Sequence, residues 1–183
     1  MLGWIFLYSM ATIGDYLSAY LNKHNIEPTK GLGKSLFETV STIVPIVNID
    51  LLVYNDNSQF LLTWRDDPHC GRGWHIPGGC IRFKETCEAR IEKVAFEELG
   101  LRKIAYEKEP IKVFQIINHE YRDLKNQNER GHFITLVYKC YTPSDFKIED
   151  QKYKQGEVGY MKWFDHLPED LLSIQSCYRE IIK

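Results

Sequence analysis

The carboxylate of Glu98, near the end of a predicted helix, is the most informative chemical group in this sequence. Residues 85–100 read as a helix that ends at Gly100. Because helix positions advance by about 100° per residue, the spacing predicts one apolar stripe with Glu98 in its middle. The stripe consists of Cys87, Ile91, Val94 and Ala95. A carboxylate that faces a protein core needs a partner, since an unpaired buried charge is very costly.

A glycine turn precedes this helix. The run from Trp74 to Gly79 ends in a Gly-Gly pair and brings backbone groups close together. A carboxylate beside exposed carbonyl oxygens suits a hard divalent cation such as Mg²⁺. The alternative is that Glu98, which is close to the helix end, bends out into water.

Length and composition set the outer bounds. The chain has 183 residues, 44% of them hydrophobic and 26% charged, which is typical of one globular domain with an extension. A net charge of −2 gives no sign of a nucleic-acid-binding protein. The five cysteines are odd in number and none are in CxxC spacing, so neither a disulfide scaffold nor a zinc site is indicated. We therefore predict a cytoplasmic protein.

The N-terminal stretch, residues 1–14, is apolar and uncharged up to position 14. It is too short to span a bilayer and lacks the basic region of a signal peptide, so we predict no membrane span. The favoured interpretation is a helix running to about Lys23 that packs on the domain or on a second subunit.

The rest of the sequence alternates strand-like and helical patterns. A linker covers 25–33, and a short helix is predicted around 36–40. Strands are predicted at 43–54, 59–65, 111–118, 131–141 and 159–164, with a turn at 55–58. Loops are predicted at 66–73 and 120–130, and an amphipathic helix over 166–183. This mixture predicts an α+β fold in which helices pack on a curved mixed sheet.

Six residues match the spacing of the Nudix box, a loop-helix-loop signature of enzymes that cleave nucleoside diphosphates linked to another group. They are Gly79, Glu85, Glu97, Glu98, Gly100 and Leu101. The chain therefore resembles the Nudix family from about residue 43 to residue 165. The resemblance implies an α/β/α sandwich over 41–183, preceded by an N-terminal helical extension and linker over 1–40. The match departs at Lys93-Val94, where the family carries Arg-Glu, and Val94 cannot bind a metal.

Within the family, the sequence is similar to the GDP-mannose mannosyl hydrolases, which also lack that glutamate. The runs 60–65 and 73–79 follow their pattern without a gap, and 47–50 and 98–101 fit it too. The resemblance implies a hydrolase of a nucleoside-diphosphate sugar in which water attacks the sugar C1 carbon with inversion. It also implies one divalent ion, Mg²⁺ or Mn²⁺, held by the Gly78 carbonyl, the Glu98 carboxylate and a third ligand, for which Glu157 is the candidate.

The resemblance also implies substrate contacts. Arg65 matches an arginine that holds diphosphate oxygens, and Gly79 belongs to the same substrate-binding turn; an exposed strand-end arginine is the alternative. The relatives carry a second arginine after the Gly-Gly pair, where this chain has Cys80. Arg82, two residues on, is predicted to replace it.

Two further carboxylates, Asp50 and Glu97, each have a site role and a structural role as alternatives. Asp50 matches an acidic residue near the sugar and the leaving group, and an aspartate in an otherwise apolar strand supports a site role. A structural hydrogen bond is the alternative. Glu97 is a second metal ligand or an outer-shell base, unless it forms an exposed ion pair with Lys93.

The general base remains open. The relatives carry a histidine where this chain has Val158. His132, at the start of a predicted strand, is our candidate, with His119 and Glu120 beside the charged loop as alternatives. Glu157 is a base instead of a ligand in a further alternative.

Three functions are therefore considered. The first is a metal-dependent hydrolase that acts at the sugar carbon of a nucleoside-diphosphate sugar. The second is a Nudix pyrophosphatase that attacks phosphorus, and the third is an inactive nucleotide-sugar-binding module. Because the related enzymes are dimers, we predict a homodimer to which the N-terminal helix contributes.

Overall fold

The computed structural model describes residues 12–67, 71–117 and 131–182. Its α-helices are α1 (Ile13–Lys23), α2 (Lys34–Ser41) and α3 (Cys87–Leu99), and 3-10 helices cover Ile148–Asp150 and Ser173–Glu180. The strands are β1 (Ile46–Tyr54), β2 (Phe60–Asp67), β3 (Gly71–His75), β4 (Gly78–Cys80), β5 (Ala105–Tyr106), β6 (Lys112–Ile117), β7 (His132–Tyr141) and β8 (Met161–Phe164).

The strands form one mixed sheet with β1 at its centre. The main order is β3-β2-β1-β7-β5, while β4 pairs with β1, β6 with β7 and β8 with β2. β1 runs parallel to β7 and antiparallel to β2 and β4. The predicted α+β fold with a mixed sheet is confirmed. A strand that is covered on both faces needs apolar residues on both, which explains the Ile- and Leu-rich sequence of β1.

Helix α3 covers one face of the sheet, and the predicted apolar stripe faces it. The cluster there includes Ile49, Leu51, Val53, Ile91, Val94 and Ala95. The Thr86 side chain caps the helix by accepting a hydrogen bond from the Ala89 N–H at 3.2 Å. Gly100 ends the helix with a φ of 71°, a left-handed conformation that glycine adopts without strain.

The opposite face is covered by the C-terminal segment, which differs from the predicted helix over 166–183. The Trp74 N–H donates to the Asp170 carbonyl at 2.9 Å, and the Leu172 N–H donates to the Trp74 carbonyl at 2.8 Å. These residues therefore run extended along β3, and only Ser173–Glu180 winds, as a 3-10 helix. The predicted α-helix is wrong because the edge of β3 offers backbone hydrogen bonds to an extended chain.

The predicted loop at 66–73 is also partly wrong. β2 continues to Asp67 and β3 begins at Gly71, with Asp66 paired to Arg72. The Gly78-Gly79 turn likewise forms a short strand, β4. In each case pairing with a neighbouring strand satisfies backbone groups that local propensity leaves open.

The N-terminal extension begins, in the described chain, with a capping box between Thr12 and Asp15 that starts α1. The helix predicted to run to about Lys23 is confirmed over Ile13–Lys23, and its residues 1–11 lie outside the described part. None of the α1 residues is buried. Over the described ranges, no helix combines the length and apolar character that crossing a membrane requires.

Candidate functional site

A cleft of about 100 Å³ lies beside the glycine pair, on the face of the sheet that the C-terminal segment covers. Asn48 and Asp50 of β1 form its floor, because side chains two apart in a strand face the same side. β2, β3, β7 and the C-terminal segment supply the walls. Their contributions include Arg65, His75, Phe133, Thr135 and Gln175.

Glu98 is held beside this cleft by two residues that line it. Arg65 Nη2 donates to Glu98 Oε1 at 3.3 Å, and His75 Nε2 lies 3.3 Å from Glu98 Oε2. The Glu98 side chain is only 20% exposed. The Glu98 carboxylate therefore turns toward the site, with the Arg65 guanidinium beside it, and does not bend out into water.

His75 is a site residue that the sequence interpretation missed. Its ring is buried, and Nδ1 lies 2.9 Å from both the carbonyl oxygen and the hydroxyl of Thr63. These contacts fix the ring so that Nε2 faces Glu98. The available signal was its position in the chain. His75 is the last residue of β3 and lies two residues before the Pro-Gly-Gly turn.

Asp50 is buried at the floor of the cleft, where the Tyr178 hydroxyl donates to its Oδ2 at 2.6 Å. Burial, and to a smaller extent the nearby Glu98 carboxylate, raise the pKa of Asp50, and its net value is about 7. The Tyr178 hydrogen bond and the Arg65 charge oppose this rise. Asp50, Arg65 and Glu98 therefore belong to one electrostatic cluster, and Asp50 exchanges its proton near neutral pH.

The raised pKa of Asp50 predicts a pH-dependent stability in metal-free protein. The folded pKa exceeds the ordinary value of 3.8, so the stability that Asp50 contributes is full below that value and is lost as pH rises through 7. Asp50→Asn abolishes this titration. The variant should therefore gain about 3 kcal/mol over wild type between pH 5 and pH 8. Urea unfolding in EDTA measures the difference at each pH.

Asp56→Asn, in the exposed β1–β2 turn, is the matched control and should show no such trend. An advantage of Asp50→Asn that is equal at both pH values would contradict the raised pKa.

The Gly78 carbonyl of the glycine strand lies outside the ladder with β1. The Leu51 N–H donates to the Pro77 carbonyl at 2.8 Å, and the Ile81 N–H donates to the Val47 carbonyl at 2.9 Å. In an antiparallel ladder, bonding residues alternate, so the Gly78 carbonyl is not used by the pairing of β4 with β1.

The two glycines differ in how little room they leave for a side chain. A methyl group on Gly78 would overlap the Asp50 carboxylate, whereas one on Gly79 would lie 3.1 Å from a Val94 methyl. Val94, which replaces the family's metal-binding glutamate, is buried in the core beneath the glycine pair. Its side chain is thus part of the packing that supports the turn.

Arg90 anchors the loop between the glycine strand and α3. It is only 3% exposed, and its Nε and Nη2 donate to Glu85 Oε2 at 2.8 and 2.6 Å. Arg90 Nη1 also lies 3.9 Å from Glu97 Oε2, so Glu97, with a side chain 47% exposed, joins this network. Burial by itself raises the pKa of Glu85, but the Arg82 backbone N–H and the Arg90 guanidinium outweigh it and lower the pKa.

Besides Glu98 and Glu97, three further predicted site residues do not line the cleft. The exposed Glu157 accepts a hydrogen bond from the Lys154 N–H at 2.9 Å within its own turn. The Arg82 side chain lies close to Gly31 of the N-terminal linker. His132 Nε2 lies 3.0 Å from Gln115 Nε2 at the start of β7. Their functional roles stay predictions, and His119 and Glu120 lie outside the described residues.

The donors at this corner suit a hard cation. Within 12–67, 71–117 and 131–182, no three His, Cys, Asp or Glu side chains come together as a ready metal site. The Gly78 carbonyl and the Glu98 carboxylate are nevertheless the oxygen donors that Mg²⁺ and Mn²⁺ prefer.

Comparison with known proteins gives concordant results. The family model for the NUDIX domain matches residues 44–180. The low-salt glycan biosynthesis protein Agl8 of Haloferax volcanii is 31% identical over 75 residues, which cover 41% of this chain and 47% of that protein. The match therefore spans less than half of this relative's length.

Two solved structures were compared with the chain, and the first of them supports the fold. A MutT NUDIX hydrolase from Burkholderia pseudomallei superposes with a TM-score of 0.56 and 22% identity, covering 76% of this chain and 99% of the other. A MutT protein from Methanosarcina mazei Go1 has a TM-score of 0.45 and 21% identity, covering 65% and 76%.

Proposed function

The chain belongs to the NUDIX domain family. We propose that it is a hydrolase that cleaves a nucleoside-diphosphate sugar with a divalent ion, by attack of water at the sugar C1 carbon. One observation carries this proposal: Glu98 is held by Arg65 and His75 at a cleft whose floor is the buried Asp50. The name of the Haloferax relative, a glycan biosynthesis protein, supports a sugar-containing substrate.

The proposed ion is Mg²⁺ or Mn²⁺, and the Gly78 carbonyl and the Glu98 carboxylate would hold it. When bound, it would neutralise the diphosphate and stabilise the charge that develops on the departing oxygen. Glu157 is the proposed third ligand, and Glu97, on the same turn of α3, is a second carboxylate for the metal or its water. The lack of a carboxylate at Val94 limits the protein to few ligands, as in the mannosyl hydrolases that it resembles.

The chain's own residues would bind and orient the substrate. Arg65, whose side chain is 35% exposed, is free to turn from Glu98 to a diphosphate oxygen, which its fork of N–H groups suits. Asp50 can take up or release a proton near neutral pH, at the point where the sugar and the leaving group are expected. His132 remains the proposed general base.

Product analysis tests the proposal. The protein is incubated with GDP-mannose and a panel of other nucleotide sugars, with Mg²⁺ or Mn²⁺, in water enriched in ¹⁸O. Free sugar that carries the label, together with unlabelled nucleoside diphosphate, is the expected result. Label in a phosphate product, together with the formation of sugar phosphate and nucleoside monophosphate, would instead show that water attacks phosphorus.

An inactive binding module is another candidate function, and the burial of Val94 in place of a metal ligand favours it. Binding of nucleotide sugars without turnover by any of them would establish this function. The acidic residues Glu85, Glu97 and Glu98 favour the enzyme, since a binding module has no evident need for several carboxylates beside a diphosphate.

A homodimer is also proposed. In α1, Ile13, Tyr16, Leu17 and Tyr20 are all exposed, and each is between 43% and 87% accessible. An apolar surface of this kind is typical of an interface. A second subunit that packs on α1 would cover it.

A further inference from the structure

Two polar atoms at the floor of the cleft have no hydrogen-bond partner among the described residues. They are Oδ1 of Asn48 and Oγ1 of Thr135, both buried. Both residues line the cleft, and Thr135 is buried. Buried polar side chains are nearly always hydrogen-bonded, so two orphans in one small cleft require an explanation.

The strand register places these two residues opposite each other. In the parallel pairing of β1 with β7, Asn48 lies directly opposite Thr135, and Asp50 is the next β1 residue on the same face. Thr63 offers a contrast within the same sheet, because this buried threonine bonds its hydroxyl to His75 at 2.9 Å. A valine of similar volume would fill position 135 without an unpaired hydroxyl, so the threonine costs stability in the free protein.

The chemistry of the pair indicates its ligand. A hydroxyl and a carboxamide each donate and accept hydrogen bonds, whichever way the amide is assigned, and neither carries charge. The cationic Arg65 attracts phosphate, whereas the carboxyl of Asp50 beside Asn48 disfavours an anion. Ile116 and Phe133 add apolar walls that suit the C–H groups of a sugar ring.

We infer that Asn48 and Thr135 form a hydrogen-bonding subsite for hydroxyl groups on the glycosyl part of the substrate. This inference rests on the proposed function and adds to it an orientation. The diphosphate faces Arg65 and Glu98, and the sugar hydroxyls complete the bonds of the cleft floor. The subsite selects a hydroxylated sugar, since a site with buried donors and acceptors rejects a ligand that leaves them unpaired.

Thr135→Val tests the subsite with two readouts. With the nucleotide sugar that wild type hydrolyses fastest, we expect KM to rise about tenfold, while the inhibition constant of the free nucleoside diphosphate stays unchanged. The melting temperature of the ligand-free variant should stay level or rise by a few degrees, because the unpaired hydroxyl is gone. If Thr135 were only structural, its replacement by valine would not raise the melting temperature and weaken sugar binding together.

Matched variants sharpen the test. Thr135→Ser keeps a hydroxyl and should retain a KM near that of wild type, and Asn48→Leu should weaken sugar binding as Thr135→Val does. Thr63→Val removes a partnered hydroxyl and should lower the melting temperature.

The outcomes separate this inference from the proposed function. If wild type hydrolyses no nucleotide sugar, the proposed function fails and the subsite falls with it. If wild type is active but Thr135→Val leaves KM unchanged, or raises KM and the nucleoside-diphosphate constant equally, only the subsite is overturned. If the melting temperature of Thr135→Val falls as that of Thr63→Val does, water satisfies the Thr135 hydroxyl in the free protein. That result would also overturn the subsite.

Discussion

Replacing Glu98 by glutamine is expected to lower the hydrolysis of the best nucleotide sugar at least about 10³-fold, since metal assistance contributes several kcal/mol and 4 kcal/mol corresponds to that factor. Glutamine keeps the size of the side chain and removes its charge. It leaves Arg65 and His75, each 3.3 Å from a carboxylate oxygen, without an anionic partner. Initial rates with saturating Mg²⁺ measure the loss, and Mn²⁺ titration followed by electron paramagnetic resonance should show weaker ion binding.

Glu92→Gln is the matched control for that experiment, because Glu92 lies on the exposed side of the same helix. It should retain wild-type rates and Mn²⁺ affinity. Circular dichroism checks that the Glu98 variant is folded. Full activity together with unchanged Mn²⁺ affinity in folded Glu98→Gln would remove Glu98 from the proposed metal site.

The second large effect concerns stability. Arg90→Met should lower the free energy of unfolding by about 3 kcal/mol, because it leaves the Glu85 carboxylate nearly buried and without its cation. The Glu85 side chain is 12% exposed, and the two Arg90 nitrogens that it loses lie at 2.6 and 2.8 Å. Methionine retains much of the apolar stem that packs near Gly79. Urea unfolding at pH 7 measures the change.

A double-mutant cycle isolates the ion pair from other effects of the substitution. Glu85→Gln removes the charge that Arg90→Met strands, so the double variant should be more stable than the sum of the single changes predicts. Arg102→Met, at an exposed position just after α3, is the control and should change stability little. Additive single and double effects would show that Arg90 acts through packing alone.

Local patterns predicted the frame of the protein well. The 85–100 helix, its glycine end and its apolar stripe depend on spacing within a few turns, and all three are present in α3. The main strands and the turn at 55–58 depend on alternation and turn residues in the same way. The largest error arose where the partner is distant: residues 170–172 lie extended because β3 is beside them.

The site residues also separate into those that local spacing predicts and those that only distant contacts place. The spacing of Gly79, Glu85, Glu97 and Glu98 is local, and it identified the family and the carboxylate at the cleft. Tyr178 reaches Asp50 from 128 positions away, and no sequence period links them. The helical pattern does not mark Arg90, and only the fold encloses it beside Glu85.

The sequence by itself determined the helix that bears the acidic residues, the glycine pair before it and the strands that make the sheet. Only the tertiary structure decided that His75 and Arg65 hold Glu98, and that Asn48 and Thr135 lie together at the floor of the cleft. The reason is physical: periodicity and capping are short-range properties of a chain. Burial, and with it the pKa of Asp50 and the unpaired hydroxyl of Thr135, arises only when distant segments exclude water together.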